Sequence, residues 1–225
     1  MTLTVVIPTR NEALQIRDCL LWLRESFSGE ILVVDGESED GTPSLVSDCG
    51  LLQTSPGLAR QCNQGAEAAR GEWLFFCSAD SRPIGPWLEI LRQAMHSPYV
   101  VGGGFTLSLE EDSWIYRLIT FGGNFRSRQE GIALGDQGLF VRRRDYLAVG
   151  GMREDSAIPF ARLSFDLRKR GEFILLRETM QSSVRAYKEK GKFATLFNHV
   201  RAYSRFRRQE AVGCEKRSDE AISWS

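Results

Sequence analysis

WLFFCSADS, residues 73–81, shows the organisation of the chain most plainly. Trp73, Leu74, Phe75 and Phe76 form a short unbroken apolar run, which reads as a buried strand. The run stops at small residues around one carboxylate, Asp80. In open α/β sheets ligands bind outside the carboxyl ends of the strands. Asp80 is therefore expected at a ligand crevice, provided that WLFF belongs to such a sheet.

The segments on either side say that it does. LTVVIP (3–8) and EILVVDG (30–36) are further β-branched runs, closed by Pro8 and by Asp35-Gly36. Between them, NEALQIRDCLLWLRESF (11–27) has apolar residues at helical spacing, with Asn11 as its expected cap. EDGTPSLVSDCG (39–50) predicts a turn and then a helix with Pro43 in its first turn and Gly50 at its end. LLQTS is a brief strand, and GLARQCNQGAEAARG (57–71) a helix of small residues. Strand alternating with helix up to WLFF is the pattern of a parallel sheet with right-handed crossovers. Its first, second and fourth strands end in PTRNE, DGESEDG and SADS, so polar groups gather on one edge.

The second half is less regular. YVVGGGFTLSLE (99–110) predicts a strand and SWIYRLITFGGNF (113–125) a helix over the cleft. GDQGLFVRRRDYLAVGG (135–151) predicts a turn, a short strand and a helix stopped by Gly150-Gly151. ARLSFDLRKRG (161–171) predicts a helix, EFILL a short strand, and FATLFNHVRAYSRFRRQE (193–210) an amphipathic helix followed by a tail.

Composition bounds the rest. The 225 residues carry 29 basic and 29 acidic side chains and fit one α/β domain with a small extension. The balance is uneven: residues 1–112 hold 7 Lys+Arg and 16 Asp+Glu, a net −9, and residues 113–225 hold the compensating +9. Either the halves attract each other within one fold, or the basic half meets anions such as phosphates or a membrane surface. No apolar stretch reaches 18 residues, and the start lacks the features of a signal peptide. Cys19, Cys49, Cys62, Cys77 and Cys214 are odd in number and form no C-x-x-C pair, which predicts reduced thiols and a cytoplasmic protein. His96 and His199 have no partners at metal-ligand spacing.

Taken in order, VVIPTRNEA, ILVVDGESEDGT, GLARQCNQGAEAARGEWLFFCSAD, GGGFTL, GDQGLFVRR and VGGM resemble the family 2 glycosyltransferases of the GT-A fold. The likeness spans residues 3–208, and GIALGDQGLFVRR with SSVRAYKEKG looks most like a bacterial subgroup. It implies a Rossmann-like, mostly parallel sheet with helices on both faces and a helical C-terminal extension. The single domain 1–225 would comprise a nucleotide-binding half (1–110), an acceptor half (111–190) and an amphipathic helix with a tail (191–225).

The resemblance also implies roles. Pro8, Thr9, Asn11, Glu12 and Asp35 match residues that line the nucleoside, Asp35 accepting from a base N–H; the plainer reading of Asp35 is a turn cap. Arg60 matches an arginine near the donor, or is a solvated helix residue. Ser78, Ala79 and Asp80 occupy the D-x-D motif that holds Mg²⁺ or Mn²⁺ against the diphosphate. Ser78 replaces its first acid, leaving Asp80 as the metal ligand, alone or through water. Asp136 and Gln137 match the acceptor side. Arg126, Arg128, Arg142, Arg143 and Arg185 are candidates for phosphate contact, two of the five being expected to make one.

The general base departs from the family pattern. Counted back from Gly171, the family's Glu-Asp pair falls on Pro159 and Phe160, which take no proton. The alternatives are Glu154 or Asp155 from the loop five residues upstream, Asp166 from the helix, or no base at all. The implied activity is an inverting transfer of a sugar from a nucleotide-diphosphate sugar to an acceptor hydroxyl or phosphate. Lipid-linked acceptors are common in such relatives, so the C-terminal helix either rests peripherally on the inner face of the membrane or packs on the domain. Nucleic acid is not an implied partner. A nucleotidyltransferase would need a glycine-rich phosphate loop, which PTRNEA lacks. The other alternative is a non-catalytic nucleotide-sugar-binding or scaffold protein on the same fold.

Overall fold

The computed structural model describes residues 1–191, 201 and 203–208. The chain divides into two units, Met1–Ser183 and Val184–Ser225.

The first unit is built on one eight-stranded sheet. Its strands are β1 (Leu3–Thr9), β2 (Glu30–Asp35), β3 (Gly50–Gln53), β4 (Trp73–Phe76), β5 (Ser81–Pro83), β6 (Val100–Leu109), β7 (Leu139–Arg142) and β8 (Glu172–Ser182), in the order β3-β2-β1-β4-β7-β6-β8-β5. β1 pairs in parallel with β2 and β4, and β2 with β3. β7 runs antiparallel to both β4 and β6, so β6 and β8, which are parallel, point the same way as β4. The sheet is thus mostly parallel but mixed. Helices α1 (Ile16–Ser26), α2 (Leu58–Ala68), α3 (Trp87–His96), α4 (Trp114–Glu130), α5 (Arg143–Ala148) and α6 (Pro159–Leu167) follow in sequence.

The unbroken apolar strands have a direct cause. Trp73 and Phe75 of β4 join Val5, Ile7 and Val33 in a core shared with Ile16, Leu20 and Leu23 of α1 and Leu91 of α3. Leu74 and Phe76 join Val6 and Val34 in a second core with Ala59, Cys62 and Ala66 of α2 and Leu163 of α6. Successive side chains point to opposite faces of a sheet, so a strand covered on both faces must be apolar at every position. β6 carries three glycines for a different reason. A Cβ on Gly102 would stand 2.8 Å from the Phe140 carbonyl oxygen of β7.

Several expectations are corrected. The helix predicted from Asn11 starts at Ile16, because residues 11–13 are bonded to the loop after β2. Asn11 has φ +56° and does not cap it. The helix expected in 39–50 is one 3-10 turn, Thr42–Leu45, and Gly50 opens β3. There Asp40 bonds Thr42 and the Ala13 N–H, the local side-chain bonding that competes with a helix. The short strand EFILL is the first half of the 11-residue β8, which pairs with β6 and with β5.

In the second unit, α7 (Arg185–Lys190) and residues 203–208 are helical, and Tyr203 and Phe206 pair their rings at 6.1 Å. Most of the helix predicted over 193–210, with His199, and the cysteine Cys214 lie outside the described residues. No helix among the described residues is long and apolar enough to cross a membrane.

Candidate active site

The carboxyl ends of β1, β2 and β4 lie on one edge of the sheet, and their loops are stitched together. The Asn11 N–H donates to Ser38 Oγ at 2.8 Å, and the Glu39 N–H donates to Asn11 Oδ1 at 2.9 Å. The Glu12 N–H reaches Thr42 Oγ1 at 2.8 Å and the Ala13 N–H reaches Asp40 Oδ2 at 2.9 Å. The Thr42 hydroxyl, with help from the Ala13 and Thr42 N–H groups, holds the Asp40 carboxyl below the usual range. The loops after β1 and β2 therefore form one platform.

Asp35 anchors that platform from beneath. It is fully buried, and its oxygens accept from Thr9 Oγ1 at 3.2 Å, Ser38 Oγ at 2.5 Å and the Ser38 N–H at 2.9 Å. Pro8, half-buried, precedes Thr9 in β1 and pairs with Val34. Gln61 of α2, itself buried, donates from Nε2 to the carbonyls of Thr9 (2.7 Å) and Val34 (2.8 Å), tying the two strand ends together. Sequence reading missed Gln61. The available signal was a glutamine at a core-facing position of a helix whose other buried residues are Ala59, Cys62, Gly65 and Ala66.

Beyond β4 the chain passes through Cys77, Ser78, Ala79 and Asp80 and at once enters β5, where Ser81 pairs with Ser182, their hydroxyls 2.7 Å apart. The backbone of Asp80 is pinned by the Ser183 N–H on its carbonyl at 3.1 Å. This explains why an apolar strand ends on Asp-Ser-Arg-Pro. Asp80 sits at the junction of two strands, and Pro83 falls on the outermost strand, where a missing N–H is tolerated. Asp80 lines a cleft of about 330 Å³ with Gln15, Asp18, Cys19 and Trp22 of the α1 segment, and with Arg82, Glu110 and Ser182. Burial, and then the Asp80 charge, push the Cys19 thiol up to about 12, so it stays protonated.

The donor set suits a hard cation. No group of three His, Cys, Asp or Glu residues among those described could hold a metal ion. Oxygen donors nevertheless surround the cleft: Asp80, Asp18, Glu110, and the Gln15 Oε1, which is buried without a hydrogen-bond partner. Mg²⁺-like ions are commonly held by one or two carboxylates plus substrate phosphates. Three acids against Arg82 would repel a bare diphosphate, so a bound divalent cation fits this rim.

The remaining candidates divide between the two edges. Arg60, in the first turn of α2, bonds Glu154 through Nη2 (2.5 Å) and Nε (3.1 Å). Asn63, one turn on, clamps the same loop: its Oδ1 accepts from the Met152 N–H (2.8 Å) and Tyr146 OH (2.5 Å), and its Nδ2 donates to the Met152 carbonyl (2.8 Å). Gly151 has φ +72°, and a Cβ there would stand 2.5 Å from Asn63 Oδ1, so the clamp requires glycine. Residues 151–154 are thereby held to the N-terminal end of α2, beside Thr9 and Val34. Asp155 is exposed and paired with Arg153 at 3.2 Å, which holds its carboxyl below the usual range.

Asp136 and Gln137 form the 3-10 turn that leads into β7, whose Leu139 pairs with Phe76, and so lie on the same edge as Asp80. The Gln137 carboxamide is buried and occupied: Oε1 accepts from Ser127 Oγ (2.7 Å) and the Leu134 N–H (2.8 Å). Asp166 lies elsewhere, near the end of α6 and six residues before β8 begins, at the opposite edge. Burial would raise its carboxyl, but Lys169 (2.7 Å) and Arg162 (2.9 Å) outweigh that and hold it low. Pro159 and Phe160 open α6, with Phe160 buried. Arg142 and Arg143 also lie at the opposite edge. Arg142 bonds the Ser97 and Pro98 carbonyls over Trp73, and Arg143 bonds the Ala66 and Glu67 carbonyls at the end of α2. Of the five arginines considered for phosphate contact, these two are engaged with backbone carbonyls away from the cleft. Arg128 donates to Thr106 Oγ1 at 3.0 Å, Arg126 is on α4, and Arg185 belongs to the second unit.

The model of the family described as glycosyl transferase family 2 matches residues 4–150, well over half of the chain. The chain belongs to that family. Among curated proteins no sequence matches it. Solved structures share the fold of this family 2 member, which is GT-A. A mannosyltransferase from Pyrobaculum calidifontis in complex with GDP-Man and Mn²⁺ superposes with a TM-score of 0.64 at 23% identity, covering 82% of this chain and 58% of that one. Mannosyl-3-phosphoglycerate synthase from Rubrobacter xylanophilus gives 0.61 at 19%, covering 94% and 75%. Glucosyl-3-phosphoglycerate synthase from Mycobacterium tuberculosis, with Mn²⁺, UDP and glucosyl-3-phosphoglycerate, gives 0.62 at 15%, covering 84% and 75%. The family 2 chain spans 58% of the length of the Pyrobaculum enzyme and 59% of a Staphylococcus aureus TarS fragment in complex with UDP-GlcNAc.

Proposed function

We propose that this family 2 member transfers a sugar, with inversion, from a nucleotide-diphosphate sugar to an acceptor hydroxyl or phosphate. The observation that carries the reading is Asp80, set at the end of β4 in an acid-lined cleft on the same edge as the Thr9–Asp35 platform. On this reading residues 1–110 bind the nucleotide and 111–190 the acceptor. Pro8, Thr9, Asn11, Glu12 and Asp35 receive the nucleoside, Ser78–Asp80 face the diphosphate, and Arg60 lies alongside. Mg²⁺ or Mn²⁺ on Asp80 would supply charge compensation for the departing diphosphate. Asp136 and Gln137 shape the acceptor side.

For the base we favour Glu154 or Asp155 over Asp166. Arg60 and Asn63 hold their loop to the donor edge, while Asp166 stands at the other. Incubating the purified chain with a panel of nucleotide sugars, acceptors and Mn²⁺ tests the whole reading. Replacing Glu154 with Gln or Asp155 with Asn should cut turnover by about a hundredfold or more in one case, with donor affinity unchanged. Normal turnover in both removes the loop from the chemistry.

A second reading, a nucleotide-sugar-binding protein without transfer, is favoured by one feature. Every candidate base is already ion-paired: Glu154 with Arg60, Asp155 with Arg153, Asp166 with Arg162 and Lys169. Tight donor binding with no nucleotide release, even by hydrolysis, would establish it.

A further inference from the structure

α4 packs Tyr116, Ile119 and Ser127 inward, yet its opposite face carries large apolar side chains in the open. Trp114 is 74% exposed, Leu118 62%, Phe121 69% and Phe125 57%. Their spacing of four, three and four residues places them in one line along the helix, the seam of a two-helix contact. Phe121 and Phe125 stack at 6.3 Å, 20° from parallel. With aromatic side chains covering ~150–250 Å² each, the open part of the stripe amounts to roughly 500 Å². That is in the range of the largest apolar patches on monomers, which are often functional, and doubled it reaches about 1,000 Å², the lower bound of a specific interface.

The charges around the stripe point to what covers it. Glu110, Glu111 and Asp112 lead into the helix, while Arg126 and Arg128 stand in its last turns. An antiparallel second α4 sets residue 114 against 125 and 118 against 121. The same register brings Glu111 of one copy to Arg128 of the other, and aligns opposed helix dipoles. Arg117, held bidentately by Asp112 at 2.6 Å, would face Gly122, where even an added Cβ meets nothing within 4 Å. The three acids before the stripe and the three arginines along it balance, so they complement a second, antiparallel copy and offer no net attraction to an anionic bilayer.

We infer that the exposed face of α4 is a symmetric dimer interface, Trp114–Phe125 and Leu118–Phe121 meeting across a two-fold axis with Glu111–Arg128 pairs at its ends. The inference is independent of the transferase reading. Sedimentation velocity of the full chain across a range of micromolar concentrations should show a monomer–dimer equilibrium. Leu118→Glu, at a solvent-facing position, should weaken it at least tenfold with an unchanged melting temperature. Glu111→Lys and Arg128→Glu should each weaken it severalfold, and the double variant should restore it. A wild-type chain that stays monomeric at 100 µM overturns the inference. So does a dimer indifferent to Leu118→Glu, or a double variant no better than its singles. A monomer that floats with phosphatidylglycerol-containing vesicles, and loses this in Leu118→Glu, would assign the face to lipid instead.

Discussion

The two edges of the sheet use polar residues in opposite ways. At the starting edge, Thr4 Oγ1 donates to Glu30 at 2.6 Å, Glu30 accepts from the Arg70 N–H at 2.8 Å, and Arg142 and Arg143 grip backbone carbonyls. Each charge there holds one segment of the chain against another. At the carboxyl edge, side chains also bond backbone, through Asp35, Asn11 and Gln61, but a row of acids, Asp18, Asp80 and Glu110, is turned toward a cleft. The contrast distinguishes the two edges independently of any motif. At the starting edge the charged groups join one part of the chain to another, whereas at the carboxyl edge three acids also border a cleft.

Perturbing each edge should separate binding from stability. The largest effect is expected at Asp80. Asp80→Asn should abolish the Mn²⁺-dependent gain in nucleoside diphosphate affinity with the circular dichroism spectrum intact. A titration in which the gain survives would detach the metal from this residue.

Next comes Asp35→Ala, which removes a charged acceptor from the platform and should weaken nucleoside diphosphate binding roughly ten- to a hundredfold. An unchanged dissociation constant would reduce Asp35 to the anchor of Ser38 and Thr9.

At the opposite edge, Arg143→Ala deletes two hydrogen bonds to the α2 carbonyl end and should cost about 1–2 kcal/mol. That is a fall of roughly 2–8 °C in melting temperature. Calorimetry and a donor titration on the same variant sharpen the contrast: stability should fall while affinity holds.

The smallest effect concerns pH. The Asp166 carboxyl is held below its ordinary range, so its contribution to stability is present above the ordinary carboxylate value and is lost as pH falls through the depressed one. Asp166→Asn should therefore be less stable than wild type at neutral pH, with the gap closing on acidification. A gap that widens in acid would reverse the assignment.

Much of this was legible in the residues. Runs such as VVIP, ILVV and WLFF had to be buried on both faces, because apolar side chains at every position leave neither face of a strand fit for water. The alternation of elements then pointed to a layered α/β sheet with its polar strand ends on one edge. From the same cues Asp35 and Asp80 could be placed as strand-end carboxylates. What the chain alone left open depended on contacts between distant segments. Asn11 reads as a helix cap until the loop after β2 competes for it. Gln61 is ordinary in sequence and decisive only where two strand ends converge. Glu154, Asp155 and Asp166 are equivalent as carboxylates in a string of letters. Only the antiparallel insertion of β7 and the place of Asp166 just before the start of β8 set it apart from Glu154. Local periodicity is a property of neighbours in sequence and survives in the string. Which carboxylate faces which edge depends on the direction of strands dozens of residues away, and only the folded chain determines that.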